Sequence, residues 1–177
     1  MTRMIRRIIA MNDEHGESYA LMDGFAENVI GGLTEIWMTG PDLPDHASTE
    51  DVGLRSRQLY RRQGGTVFRF FEIPPASKTA HLSPTEHRKL WSDLFRSMDA
   101  ADAQPNVRRD AGMHKTPTTD YIILLSGTIT LVLDKTEHEL KPLDAVVQRG
   151  TNHAWVNRGA ENALLMAVLV SEEKPKV

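Results

Sequence analysis

GMHKTPTTDYIILLSGTITLVL, residues 112–133, and LDAVVQRGTNHAWVNRG, residues 143–159, are the two stretches whose pattern decides the fold. Both are dense in β-branched and aliphatic residues and broken by short turn signals, which is the pattern of strands. Residues two apart on a strand share a face. His153, Trp155 and Asn157 therefore point one way, and so do Asp120, Ile122 and Leu124. Tyr121 to Leu125 and Thr128 to Leu133 meet at Ser126-Gly127, which predicts a two-residue hairpin. Closing such a sheet is expected to bring His114, Asp120 and His153 into one interior. Two imidazoles and a carboxylate there would make a 2-His-1-carboxylate arrangement, with coordination positions left open.

Working outward, Thr136 to Leu140, Ala145 to Gln148, His153 to Asn157 and Ala163 to Val170 read as further short strands. Many short strands with Gly, Pro and Asn between them predict a barrel or jelly roll. Upstream, Thr66 to Ile73 is a strand stopped by Pro74-Pro75. One amphipathic helix follows, over about residues 83–98. Ser83 caps it, Pro84 opens it and Glu86 completes a capping box. Leu90, Trp91, Leu94, Phe95 and Met98 form its apolar stripe, expected to pack as core or against a subunit. Met4 to Ala10, Ser18 to Met22 and Leu33 to Met38 are β-like. Residues 40–65 are polar, without periodicity, and are expected to be a lid, a crossover or a mobile loop.

A chain of 177 residues suits one domain with a sizeable core. The net charge of −3, with both signs mixed along the chain, argues against a nucleic-acid partner. The absence of cysteine excludes disulfides and thiolate metal sites. Arg3, Arg6 and Arg7 precede an apolar run, Ile8 to Met11, that is too short for a signal peptide. No run reaches the ~20 apolar residues of a membrane helix, so a cytoplasmic location without membrane contact is expected.

The two quoted stretches resemble the paired motifs of the cupin superfamily, in particular its small single-domain members. The first motif has the form HxH, three or four residues, Glu, six residues, Gly. His114, Asp120 and Gly127 fit it, and Thr116 stands at the second His. The second motif ends PxGxxHxxxN. Gly150, His153 and Asn157 fit it, with Asp144 to Val147 before them. Other departures are Leu143 for a turn glycine, Gln148 for proline and Arg108 for the opening glycine. The resemblance implies an all-β cupin double-stranded β-helix over residues 64–177, preceded by a β-rich extension and crossover over residues 1–63. It also implies a homodimer and a small-molecule ligand.

The leading functional expectation is a metal-dependent cupin enzyme acting on a small oxygenated organic molecule, as a dioxygenase, isomerase or decarboxylase. One divalent transition metal (Fe, Mn, Zn or Ni) is expected on His114, Asp120 and His153, which are also the catalytic candidates. Thr116, Trp155, Asn157 and Arg69 are the candidate pocket residues. Arg69 shares a strand face with Val67 and Phe71. It is expected either inside, needing an anionic partner such as Asp120 or a substrate carboxylate, or outside as a solvated charge, the placement favoured here. Two alternatives stand beside this reading: a metal-free acid–base cyclase or isomerase using the same three residues, and a binding cupin without catalysis. His15, His46, His81, His87 and His138 are expected at the surface.

Overall fold

The protein is described here by a computed structural model covering residues 3–55 and 57–171. Its strands are β1 (Arg6–Asn12), β2 (Ser18–Phe25), β3 (Val29–Ile30), β4 (Leu33–Thr39), β5 (Gly65–Ile73), β6 (Thr118–Ser126), β7 (Ile129–Leu133), β8 (Glu137–Leu140), β9 (Ala145–Arg149), β10 (His153–Val156) and β11 (Ala163–Ser171). A single α-helix, α1 (Pro84–Ser97), is inserted between β5 and β6. The fold is mostly β, as expected. No helix among the described residues is long and apolar enough to cross a membrane.

Two sheets enclose the core. One is six-stranded, in the order β3-β4-β5-β11-β6-β9, and the other three-stranded, β10-β7-β8. Every pairing within them is antiparallel. Val67, Ile122, Leu124, Leu165 and Ala167 of the larger sheet meet Ile129, Leu131, Leu140 and Trp155 of the smaller one in a single cluster. The β1–β2 ribbon forms a sheet of its own. β3 and β4 instead join the large sheet, so strands from the first forty residues are built into the barrel wall.

The hairpin expected at Ser126-Gly127 does not form, because β6 and β7 lie in different sheets. Gly127 has φ +79°, and a Cβ there would sit 2.7 Å from the Asn162 carbonyl oxygen. The chain therefore uses this glycine to leave one sheet for the other. β6 finds its partners at β11 and β9, much further along the chain. Turn chemistry was legible locally, but the pairing of the flanking strands was decided by packing.

Helix α1 has the capping box read from the sequence. Ser83 Oγ accepts from the Glu86 N–H, and the Glu86 carboxylate accepts from the Ser83 N–H at 2.8 Å. Phe95 on the helix and Met98 at its C-cap are buried in the core, with Trp91 and Leu94 packed alongside. The crossover over residues 40–65 also contributes to the core, through Leu59 and Tyr60. It is tied down by the Leu59 N–H donating to the Met98 carbonyl at 2.9 Å and by the pair Arg7–Asp51, and is braced internally by Arg61–Asp42.

Leu143, where a turn glycine was noted as missing, has φ +76° and is 81% exposed. It follows Pro142 in a tight turn whose Asp144 N–H returns to the Lys141 carbonyl at 3.0 Å. Pro at the second position and a positive φ at the third are the geometry of a type II turn, which glycine adopts without steric cost. Leu143→Gly is therefore expected to stabilise the fold by about 1 kcal/mol. A urea midpoint that stays in place or falls would show that the turn carries no such strain.

Candidate functional site

His114 precedes β6 and forms an isolated bridge with His153, the first residue of β10. Their backbones exchange both hydrogen bonds, at 2.8 and 2.9 Å, which sets the two rings side by side with centroids 4.3 Å apart. Each Nδ1 lies 2.9 Å from a backbone carbonyl, that of Gly112 for His114 and that of Thr151 for His153. A carbonyl only accepts, so each Nδ1 carries the proton. Each Nε2 then keeps its lone pair.

Around the pair the walls are aromatic. The Phe95 ring, from α1, lies 4.8 Å from the His114 ring, with Trp91 stacked behind it at 6.1 Å. Trp155 meets His153 edge-on at 5.9 Å and Phe71 at 6.3 Å. His153 is buried, whereas His114 keeps partial solvent access. Burial in these surroundings pushes the His114 pKa down to about 3, with the neighbouring His153 adding to the effect, and burial lowers His153 as well. Both imidazoles are neutral at physiological pH.

This neutrality has a consequence for stability. In the unfolded chain His114 takes up a proton below its ordinary value of 6.5, while in the folded chain it stays neutral down to about 3. Its stabilising contribution is complete above pH 6.5 and is lost as pH falls through that window. At about pH 5 the loss amounts to at most about 2 kcal/mol, from ~1.4 kcal/mol per pH unit. Asp120, whose pKa is raised, works the other way below about 6 and offsets part of it. Metal-free His114→Gln is expected to lose that much less stability than wild type between neutral pH and about pH 5. Urea unfolding at the two pH values would show parallel losses in the two proteins if His114 were not the proton-linked group.

Asp120 does not join the histidines. Among the described residues no three His, Cys, Asp or Glu side chains lie close enough to hold one metal ion. Asp120 lies on β6, six positions after His114, which stands outside that strand and bridges to β10. Asp120 is buried on β6 opposite Gln148 of β9, and the Thr118 hydroxyl donates to its Oδ1 at 2.5 Å. Burial raises its pKa to about 6, against the pull of Thr118 and Arg69. Thr116, also buried, hydrogen-bonds Thr118 at 2.7 Å.

Arg69 lies inside the barrel, not at the solvated surface favoured above. It is 3% exposed, on the β5 face that carries Val67 into the core. Its main anionic partner is Glu35, its register neighbour on β4, with Nη2–Oε1 at 3.1 Å. Arg57 approaches the same carboxylate at 3.4 Å. Burial raises the Glu35 pKa and the two guanidiniums pull it back. The sequence reading missed Glu35. The available signal was an acidic residue inside the apolar run LTEIWMT, but a bulge between Glu35 and Trp37 breaks the alternation that would have placed it inside.

Asn157 serves the turn after β10. Its Nδ2 donates to the Ile73 and Glu161 carbonyls at 2.8 and 2.7 Å, and its Oδ1 accepts from the Gly159 N–H at 2.9 Å. With those bonds made, its amide is committed to the backbone. His15, His46, His81 and His138 are exposed and His87 is half-buried, all away from the pair.

Comparison with known proteins adds the following. Residues 105–169 match the family model described as a cupin domain (Cupin_2). The phomopsin biosynthesis cluster protein C′ of Diaporthe leptostromiformis is 47% identical over 64 residues, which cover 36% of this chain and 34% of that protein. The chain thus spans about a third of the length of that relative. A cupin-domain-containing oxidoreductase of Aspergillus ruber, fogC, is 27% identical over 76% of this chain and 70% of its own. Among solved structures, a Cupin 2 conserved barrel domain protein from Salinispora arenicola is 18% identical, with 67% of this chain and 76% of that chain covered and a TM-score of 0.38.

Proposed function

We propose, from the match of residues 105–169 to a cupin-domain model, that His114 and His153 hold one divalent transition metal and that the protein is a metal-dependent enzyme acting on a small oxygenated organic molecule. The observation that carries this reading is the tethering of both Nδ1 atoms to backbone carbonyls 2.9 Å away. Such a tether fixes ring orientation and tautomer, and it is the usual outer support of metal-ligating histidines. It leaves each Nε2 with its lone pair and no proton competing for it near neutral pH.

The pair fits as two ligands of an Fe, Mn, Zn or Ni ion, the remaining positions going to water and substrate. Asp120 does not fit as the third protein ligand, being absent from any cluster with the pair. When bound, the ion supplies Lewis-acid chemistry toward a substrate carbonyl or enolate. The protein's own part is to orient the imidazoles, to exclude bulk water with Phe95, Trp91 and Trp155, and to keep both Nε2 atoms unprotonated. An oxidoreductase assignment is supported by the likeness to the Aspergillus ruber protein.

His114 is a poor candidate for the metal-free acid–base reading, because a base with a pKa of about 3 takes few protons near neutrality, and burial lowers His153 as well. The test is metal uptake. Untagged, chelator-stripped protein is loaded with Fe(II) without oxygen, or with Zn(II) in air, and analysed for bound metal after desalting. One ion per chain is the expected result, and no uptake of either metal would end the reading.

A further inference from the structure

His114, Thr116, Thr118 and Asp120 occupy alternate positions of one run that leads into β6. Burial follows that alternation: Thr116, Thr118 and Asp120 are buried, while Lys115, Pro117 and Tyr121 are exposed. Thr116, Thr118 and Asp120 therefore share one buried row, and His114 stands two positions before it in the chain. The three are linked. Thr118 donates to Asp120 Oδ1 at 2.5 Å, and the Thr116 and Thr118 hydroxyl oxygens are 2.7 Å apart.

A threonine has one hydroxyl proton. That of Thr118 goes to Asp120, so Thr116 must be the donor toward Thr118. The chain has a direction, from Thr116 to Asp120. It leaves a lone pair of Thr116, two positions after His114, free to accept.

We propose that Asp120 is a remote proton acceptor for the histidine site, reached through Thr118 and Thr116 from a water or substrate hydroxyl beside His114 and His153. The ligand O–H bond breaks and its proton bonds to Thr116 Oγ1. The Thr116 proton passes to Thr118 Oγ1, and the Thr118 proton passes to Asp120 Oδ1. The products are a deprotonated ligand oxygen and a neutral carboxylic acid, with no change in oxidation state. The idea rests on the histidine pair being the site.

The surroundings of Asp120 suit an acceptor. It packs between Gln148 of β9 and Leu169 of β11, both uncharged, with Arg69 of β5 the charged group acting on it. Burial outweighs Arg69 and Thr118 and brings the carboxyl to about 6, close enough to neutrality for a base that must also release its proton.

Zinc is the probe, because it acidifies an adjacent water. Infrared difference spectra are recorded near neutral pH on chelator-stripped protein with and without Zn(II), and bound zinc is counted in the same samples. In wild type, zinc should produce a carbonyl band of a protonated carboxyl. Asp120→Asn should bind zinc without that band. Thr118→Val and Thr116→Val should do the same, the first breaking the middle of the chain and the second its outer end, while Thr118→Ser should restore the band. Melting curves identify any variant that fails to fold, and Thr116→Val replaces Thr118→Val in that case. Zinc bound by wild type with no band, or a band that survives both valine variants, would overturn the relay alone. No zinc uptake at all would overturn the histidine site and the relay together.

Discussion

His114→Ala and His153→Ala are each expected to reduce bound metal to background, the largest single effect the site allows. Each histidine supplies one of the two Nε2 atoms, and no third His, Cys, Asp or Glu stands with them among the described residues. Removing either one leaves a single imidazole, which cannot chelate. The loss should not come from unfolding. The core is carried by Val67, Leu124, Leu131, Leu165 and their neighbours across the two sheets, and the histidines touch it through Phe95 and Trp155. Elemental analysis of both variants beside wild type, with urea melts on the same preparations, checks both halves. A folded variant that retains a full equivalent of metal would show that the ion sits elsewhere.

The second large effect concerns Glu35. Its carboxylate is 1% exposed and faces Arg69 at 3.1 Å and Arg57 at 3.4 Å. Replacing it by leucine removes the carboxylate shared by two buried guanidiniums and leaves Arg69 only the weaker pull of Asp120. Breaking a buried pair in this way costs roughly 3–5 kcal/mol. Arg69→Met should cost less, because Glu35 keeps Arg57. The double replacement should recover part of the loss, since only Arg57 then lacks its partner. Urea midpoints for the two single variants and the double variant test the ordering. A Glu35→Leu loss below about 1 kcal/mol would mean that the pair is no better than a solvated one.

The sequence by itself determined the strands, the helix with its cap, and the two histidines as a pair. Those features are local: alternation, turn residues, a capping box and the distance from His114 to His153 through two motifs. It also marked Thr116 and Leu143 as departures. The first now lies in a buried hydroxyl chain and the second in a left-handed turn.

Only the tertiary structure decided three things. It separated β6 from β7 into different sheets, because strand partners are chosen by the packing of distant faces and not by the turn between neighbours. It turned Arg69 inward, because a carboxylate thirty-four positions earlier, brought beside it by β4–β5 pairing, removes the cost of burying a lone cation. And it kept Asp120 out of a cluster with the histidines, because Asp120 is paired within β6 of the large sheet while His114 bridges to His153 at the edge of the small one. Sequence parity tells which side of a strand a residue faces. How far along the barrel it comes to rest depends on which strand lies opposite, and that is settled only when the sheets close.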